Sequence, residues 1–104
     1  MNRYSVVYLL RKQYYHICCR TNSEAISVLE HLFSLEGHAP IGIYDAKTEL
    51  FYWEPQRQQD YNRAQIEEQG KLADQIIQIA QALRLANQTI TYHIRTDTQS
   101  RLMA

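Results

Sequence analysis

The sequence predicts a small α+β protein with the element order ββαββαβ, a five-stranded mainly antiparallel sheet, and two helices packed on one face. Two pairs of short β-type segments, two segments with apolar residues at helical spacing, and one alternating segment near the C-terminus support this prediction. A length of 104 residues fits one domain. We assign residues 1–95 to that domain and residues 96–104 to a polar C-terminal tail.

The first two strands are predicted from residues 3–11 and 14–20, which are rich in β-branched and aromatic side chains. Only Lys12 and Gln13 separate the two segments, so we expect a hairpin with these two residues as its turn. The turn lacks the Asn-Gly pair that most strongly marks such hairpins.

The first helix is predicted over residues 22–36. Thr21 followed three residues later by Glu24 is a capping-box pattern, which marks a helix N-terminus. Gly37 stands where a helix C-terminus favours glycine. The apolar residues between these signals keep helical spacing: Ala25, Leu29, Leu32, Phe33 and Leu35.

A second hairpin is predicted from residues 41–44 and 49–54. Asp45 begins the polar turn between them and can brace it through its side chain. Pro55 ends the second strand, because proline cannot donate a ladder hydrogen bond. Alternation places three aromatic residues beside Gly42 on one face: Tyr44, Phe51 and Trp53. It places four apolar residues on the other face: Ile41, Ile43, Leu50 and Tyr52.

The second helix is expected from near Asp60 to near Ala86, loosened at Gly70, and the polar stretch 56–71 leaves its start open between helix and loop. Residues 89–95 alternate between apolar and polar side chains and predict a fifth strand, which pairs within or between chains. The order also suggests a ββα pseudo-repeat over residues 3–37 and 41–86.

Composition argues against several classes of protein. Eleven basic and eleven acidic residues cancel, whereas duplex-binding domains carry a basic excess that neutralises phosphates. The apolar run from Tyr4 to Leu10 is too short to span a bilayer, so no membrane association is expected. Cys18 and Cys19 are adjacent, which disfavours a disulfide between them and indicates the reducing cytoplasm.

No residue pattern identifies catalytic chemistry. His16 and Cys18 share a strand face, but residues two apart on a strand are about 7 Å apart, which is long for a nucleophile–base pair. The remaining histidines, His31, His38 and His93, have no metal-ligand spacing. We therefore predict that the protein is not an enzyme and has no catalytic residues, cofactor or metal.

Both faces of both hairpins are apolar, and helices on one face would leave an aromatic surface uncovered. Apolar patches of several hundred Å² on monomers usually mark interaction sites. We therefore predict a non-enzymatic homodimer that acts as an interaction or regulatory module, with an unidentified protein partner as a further possibility. The predicted interface residues are Tyr8, Tyr15, Tyr44, Phe51 and Trp53.

Two alternatives stay open. Aromatic side chains on an antiparallel sheet can stack the bases of single-stranded nucleic acid, although the neutral charge balance argues against this. A small ligand or an enzyme site at the subunit interface is the other alternative.

Overall fold

The computed structural model describes residues 2–94, with the side chains of residues 2–86. Within that range the chain forms β1 (Tyr4–Leu10), β2 (Gln13–Cys19), α1 (Asn22–Leu32), β3 (His38–Asp45), β4 (Leu50–Trp53), α2 (Pro55–Arg63) and α3 (Ile66–Ile94). The four strands form one antiparallel sheet in the order β2-β1-β3-β4. The prediction of a mixed α+β fold with an antiparallel sheet is confirmed.

The prediction of a fifth strand over residues 89–95 is wrong for residues 89–94, the part of this segment that the structure describes. Residues 89–94 belong to α3, which continues without interruption to Ile94. No glycine or proline follows Gly70 in this helix, so nothing in the backbone chemistry stops its propagation. Residue 95 and the predicted tail, residues 96–104, lie outside the described residues.

The two long helices cover opposite faces of the sheet. α1 packs its Leu29 against Val6 and Ile43 on one face. α3 packs its Ile76 against the other face, where Tyr44 is buried. The prediction that both helices share one face is therefore wrong. Because both faces of the hairpins are apolar, each face buries its side chains under a helix of its own.

The first hairpin turns one residue earlier than predicted. Arg11 and Lys12 have positive φ angles of 51° and 68° and form the two-residue turn, so that Gln13 is already the first residue of β2. Positive φ at both central positions is the backbone of a tight hairpin turn whose twist matches the strands. Alternation is unaffected, and Tyr8 pairs with Tyr15 as the predicted faces require.

A β-bulge separates Ile41 from the residues predicted to share its face. The register of β1 with β3 shifts between Val7 and Tyr8, which pair with Gly42 and Pro40 and leave Ile41 without an opposite residue. An extra residue in a strand reverses the direction of the side chains beyond it. Ile41 consequently joins the core under α3, whereas Ile43 lies under α1.

The capping-box prediction for α1 is confirmed at its N-terminus. The backbone N–H of Glu24 donates to Thr21 Oγ1 at 3.1 Å, and the Glu24 carboxylate accepts from the backbone N–H of Arg20 at 2.8 Å. The helix ends at Leu32 instead of near residue 36, and Gly37 adopts a φ of 81° in the turn that leads to β3.

The polar segment after β4 forms a helix of its own. Glu54 caps α2 by accepting from the backbone N–H groups of Gln56 and Arg57, and Pro55 occupies the start of the helix, where it needs no N–H partner. The chain breaks helical geometry at Ala64, not at the predicted Gly70. Among residues 2–94, no helix combines the length and apolar character that crossing a bilayer requires.

Candidate interaction surface beside β4

The five predicted interface residues do not form one surface. Tyr44, Phe51 and Trp53 lie on the face that α3 covers, where Tyr44 is buried and the two others are half-buried. Tyr8 and Tyr15 lie on the opposite face near the first hairpin turn, with ring centroids 5.7 Å apart. The α3 face is therefore not an open aromatic platform, and a binding role for these five residues stays a prediction.

Strand β4 is covered on one side only. Phe51 and Trp53 pack against α3, and the Trp53 ring lies 5.3 Å from the ring of Tyr61 in α2. Leu50 and Tyr52 point to the face of α1, where they are 52% and 50% exposed. The buried core beneath α1 draws on β1, β2 and β3 but not on β4. This helix therefore leaves the edge strand uncovered.

A groove of about 570 Å³ lies between α1 and β4. Ile26 and Leu29 line it from α1, Tyr4 and Ile43 line it from the sheet, and Tyr52 lines it from β4. The apolar side chains that line the groove are partly exposed, since Ile26 of α1 is 42% exposed and Tyr52 of β4 is 50% exposed. Within the described residues, this groove lies next to the unpaired edge of β4.

An ion pair neutralises the polar end of this groove. Arg3 donates from Nε and Nη2 to the two carboxylate oxygens of Asp45, each at 2.7 Å. The Arg3 guanidinium holds the pKa of Asp45 well below its ordinary value, and the backbone N–H of Lys47 acts in the same direction. Arg3 also lies 5.0 Å from the ring centroid of Tyr4. At this end of the groove, the charges of Arg3 and Asp45 therefore compensate each other next to apolar side chains.

The side chains of His16 and Cys18 pack on the sheet face that α3 covers. Cys18 Sγ lies 3.8 Å from His16 Nδ1, but this nitrogen already forms a 3.0 Å hydrogen bond with Ser5 Oγ. Ser5 is fully buried. Within residues 2–94, no group of three His, Cys, Asp or Glu side chains is placed to hold a metal ion.

His31 and His38 lie on different elements. His38 begins β3, and its ring lies 5.5 Å from that of Tyr8. His31 is exposed on α1. Gly42 makes room for an aromatic ring, because a Cβ there would approach Phe51 Cε2 to 2.6 Å.

Sequence reasoning missed two of the contacts that organise the molecule. The Arg3–Asp45 pair joins residues 42 positions apart, and the Arg84–Ser5 bond joins residues 79 positions apart. No local pattern marks either contact. The sequence contained one indication of the uncovered groove. The alternation of side chains along the strand placed Leu50 and Tyr52 on the sheet face opposite Phe51.

Comparisons of this chain with protein-family models, with curated proteins and with solved structures found no match. The function is therefore argued from geometry.

Proposed function

We propose that this protein is a non-enzymatic homodimer that acts as an interaction module, and that two copies associate through β4. The observation that carries the proposal is the exposure of Leu50 and Tyr52 on the uncovered side of an edge strand. Free strand edges pair readily with further strands. Two-fold dimers are the commonest assemblies of identical chains.

The hydrogen bonds of β4 define which of its groups are free to pair. The Glu54 N–H donates to the Ile41 carbonyl at 2.8 Å, so the backbone groups of Glu54 point toward β3. Hydrogen-bonded positions alternate along an antiparallel strand, so the backbone groups of Tyr52 point toward β3. The backbone groups of Phe51 and Trp53 consequently point away from the sheet.

A two-fold axis at Tyr52 satisfies these outward groups. Phe51 of each copy pairs with Trp53 of the other, and the two Tyr52 side chains meet at a closely spaced, non-hydrogen-bonded position. The two sheets then form one continuous sheet, and the grooves beside the α1 helices join across the axis. Tyr52 and Leu50 from both copies fill the space that α1 leaves open.

The compartment we propose is the cytoplasm. Cys18 and Cys19 are both free thiols, and free thiols are typical of a reducing environment.

The dimer is tested by sedimentation of the wild-type chain and two lysine variants across the micromolar concentration range. Tyr52→Lys places a charge at the proposed axis, and we expect it to sediment as a monomer. Tyr14→Lys is the matched control, because Tyr14 is 38% exposed on the other edge strand, β2, and is not among the predicted interface residues. We expect it to dimerise like the wild type. A monomeric wild type, or a Tyr52→Lys variant that still dimerises, would contradict the proposal.

A further inference from the structure

α3 is attached to the sheet in two chemically different ways. Its earlier part is held by apolar packing, with Ile76 buried in the core that contains Val7. Its later part adds polar contacts to the apolar packing of Ala80 and Leu83. Gln81 donates to the Tyr44 hydroxyl at 3.1 Å, and Arg84 donates to Ser5 Oγ at 2.8 Å. Arg84 also donates to the Asn2 carbonyl at 2.7 Å.

The hydrogen-bond directions at Ser5 determine the tautomer of His16. Arg84 can only donate, so the Ser5 hydroxyl oxygen accepts from it. The Ser5 proton is then available for the 3.0 Å bond to His16 Nδ1, which makes Nδ1 the acceptor. The ring proton consequently lies on Nε2, which is buried near the Leu83 backbone without forming a well-aligned hydrogen bond there. His16 is therefore held as a neutral ring.

The groups around His16 disfavour its positively charged form. Arg84 of α3 brings a positive charge to the same Ser5 hydroxyl. The Cys18 thiol of β2 also faces the ring, with Sγ 3.8 Å from Nδ1. Within the described residues, no Asp or Glu side chain is hydrogen-bonded to this cluster. Burial first, and then Arg84, lower the pKa of His16 below its ordinary value, while the Leu83 carbonyl acts in the opposite direction.

We propose that residues 80–86 of α3 form a cover that acid releases from the aromatic face of the sheet, with His16 as the group that takes up the proton. Protonation of Nδ1 removes the acceptor that Ser5 uses and places two positive charges on either side of one hydroxyl. The apolar attachment at Ile76 is unaffected by pH. Release therefore exposes the Tyr44 side of the sheet while the earlier part of the helix stays docked.

The direction of the pH effect follows from the lowered pKa. The neutral ring stabilises the docked helix above the ordinary histidine pKa of about 6.5, and this stabilisation is lost as the pH falls toward the folded-state pKa. Between the folded-state pKa and the ordinary pKa of His16, the uptake of one proton changes the equilibrium constant for docking of residues 80–86 by up to about tenfold per pH unit. The cover consists of residues 80–86 of α3, whereas the proposed dimer forms through the outward backbone groups of β4, so the two proposals are tested by different measurements.

Amide hydrogen exchange at about pH 7.5 and about pH 5, corrected for the chemical exchange rate, tests the cover. In the wild type we expect protection of residues 80–86 to fall by up to about tenfold per pH unit, while residues 72–77 keep theirs. His16→Asn keeps an acceptor near the position of Nδ1 but cannot take up a proton. We expect its protection to be independent of pH. His31→Asn, at an exposed histidine, is the matched control and should behave like the wild type.

Two results would overturn the proposal: equal wild-type protection of residues 80–86 at both pH values, or the same loss in His16→Asn as in the wild type. If His16→Asn does not fold, the His16 ring signals of the wild type decide the question by NMR titration. The proposal requires a titration below the ordinary histidine pKa that coincides with the loss of protection. A titration at or above the ordinary value contradicts it.

Discussion

Replacing Gly42 by alanine and replacing Gly70 by alanine should change the free energy of unfolding in opposite directions. The difference arises from the close packing of β3 against β4 at Gly42. A Cβ at Gly42 would lie 2.6 Å from Phe51 Cε2 and 2.8 Å from Phe51 Cζ, and it would collide with the Tyr52 carbonyl oxygen. The carbonyl belongs to the strand ladder, and the Phe51 ring packs at 5.0 Å against the ring of Trp53. Neither neighbour can move without disturbing the sheet.

Gly42→Ala should therefore lower the free energy of unfolding by about 2–3 kcal/mol, the upper range for adding a methyl group to a filled core. In a domain of this size the midpoint of thermal unfolding should fall by roughly 10–20 °C. Urea unfolding followed by the fluorescence of Trp53, which lies in the affected cluster, gives both the midpoint and the slope of the transition.

Gly70→Ala is the matched control. Gly70 lies in α3, and an added Cβ would meet no atom within 4 Å. Alanine in an open helical position raises the free energy of unfolding by about 0.5–1 kcal/mol. A Gly42→Ala variant as stable as the wild type would refute the packing described for β3 and β4. A destabilised Gly70→Ala variant would refute the open surroundings of Gly70 in α3.

Two further predictions concern the ion pair and the cap of α1. Because Arg3 holds the pKa of Asp45 below its ordinary value, the pair stabilises the fold fully above about pH 4 and less as the pH falls further. Asp45→Asn should lower stability at neutral pH and flatten the acid limb of a stability–pH curve measured by urea unfolding; an unchanged acid limb would contradict this. Thr21→Ala removes the acceptor of the Glu24 N–H and should cost about 1 kcal/mol of unfolding free energy, measured in the same way. A loss below about 0.3 kcal/mol would show that this cap contributes little.

The elements that sequence reasoning predicted correctly are those with local signals. Thr21 and Glu24 marked the start of α1 because the capping hydrogen bonds join residues three apart. The faces of the hairpins followed from alternation, and the pairing of Tyr44 with Phe51 agrees with it. In both cases the interacting residues are close in sequence.

The features that could not be predicted depend on contacts between distant segments. Residues 89–94 alternate like a strand, but they continue a helix already anchored to the sheet by Ile76. The bulge that moves Ile41 to the α3 side arises from the pairing of β1 with β3, and not from any turn residue. The apolar residues on both faces of the hairpins were a signal that each face needs a cover, but which helix covers which face depends on the packing of the whole sheet.

The backbone amides of β4 test the central proposal most directly, because they need no substitution. Phe51 and Trp53 have outward N–H groups that would bond to a second copy in the proposed dimer, whereas the Tyr52 N–H points toward Ile43 of β3. We predict that the Phe51 and Trp53 amides exchange slowly at high protein concentration and quickly on dilution, while the Tyr52 amide stays protected throughout. Rapid exchange of Phe51 and Trp53 at every concentration would contradict a dimer formed through β4.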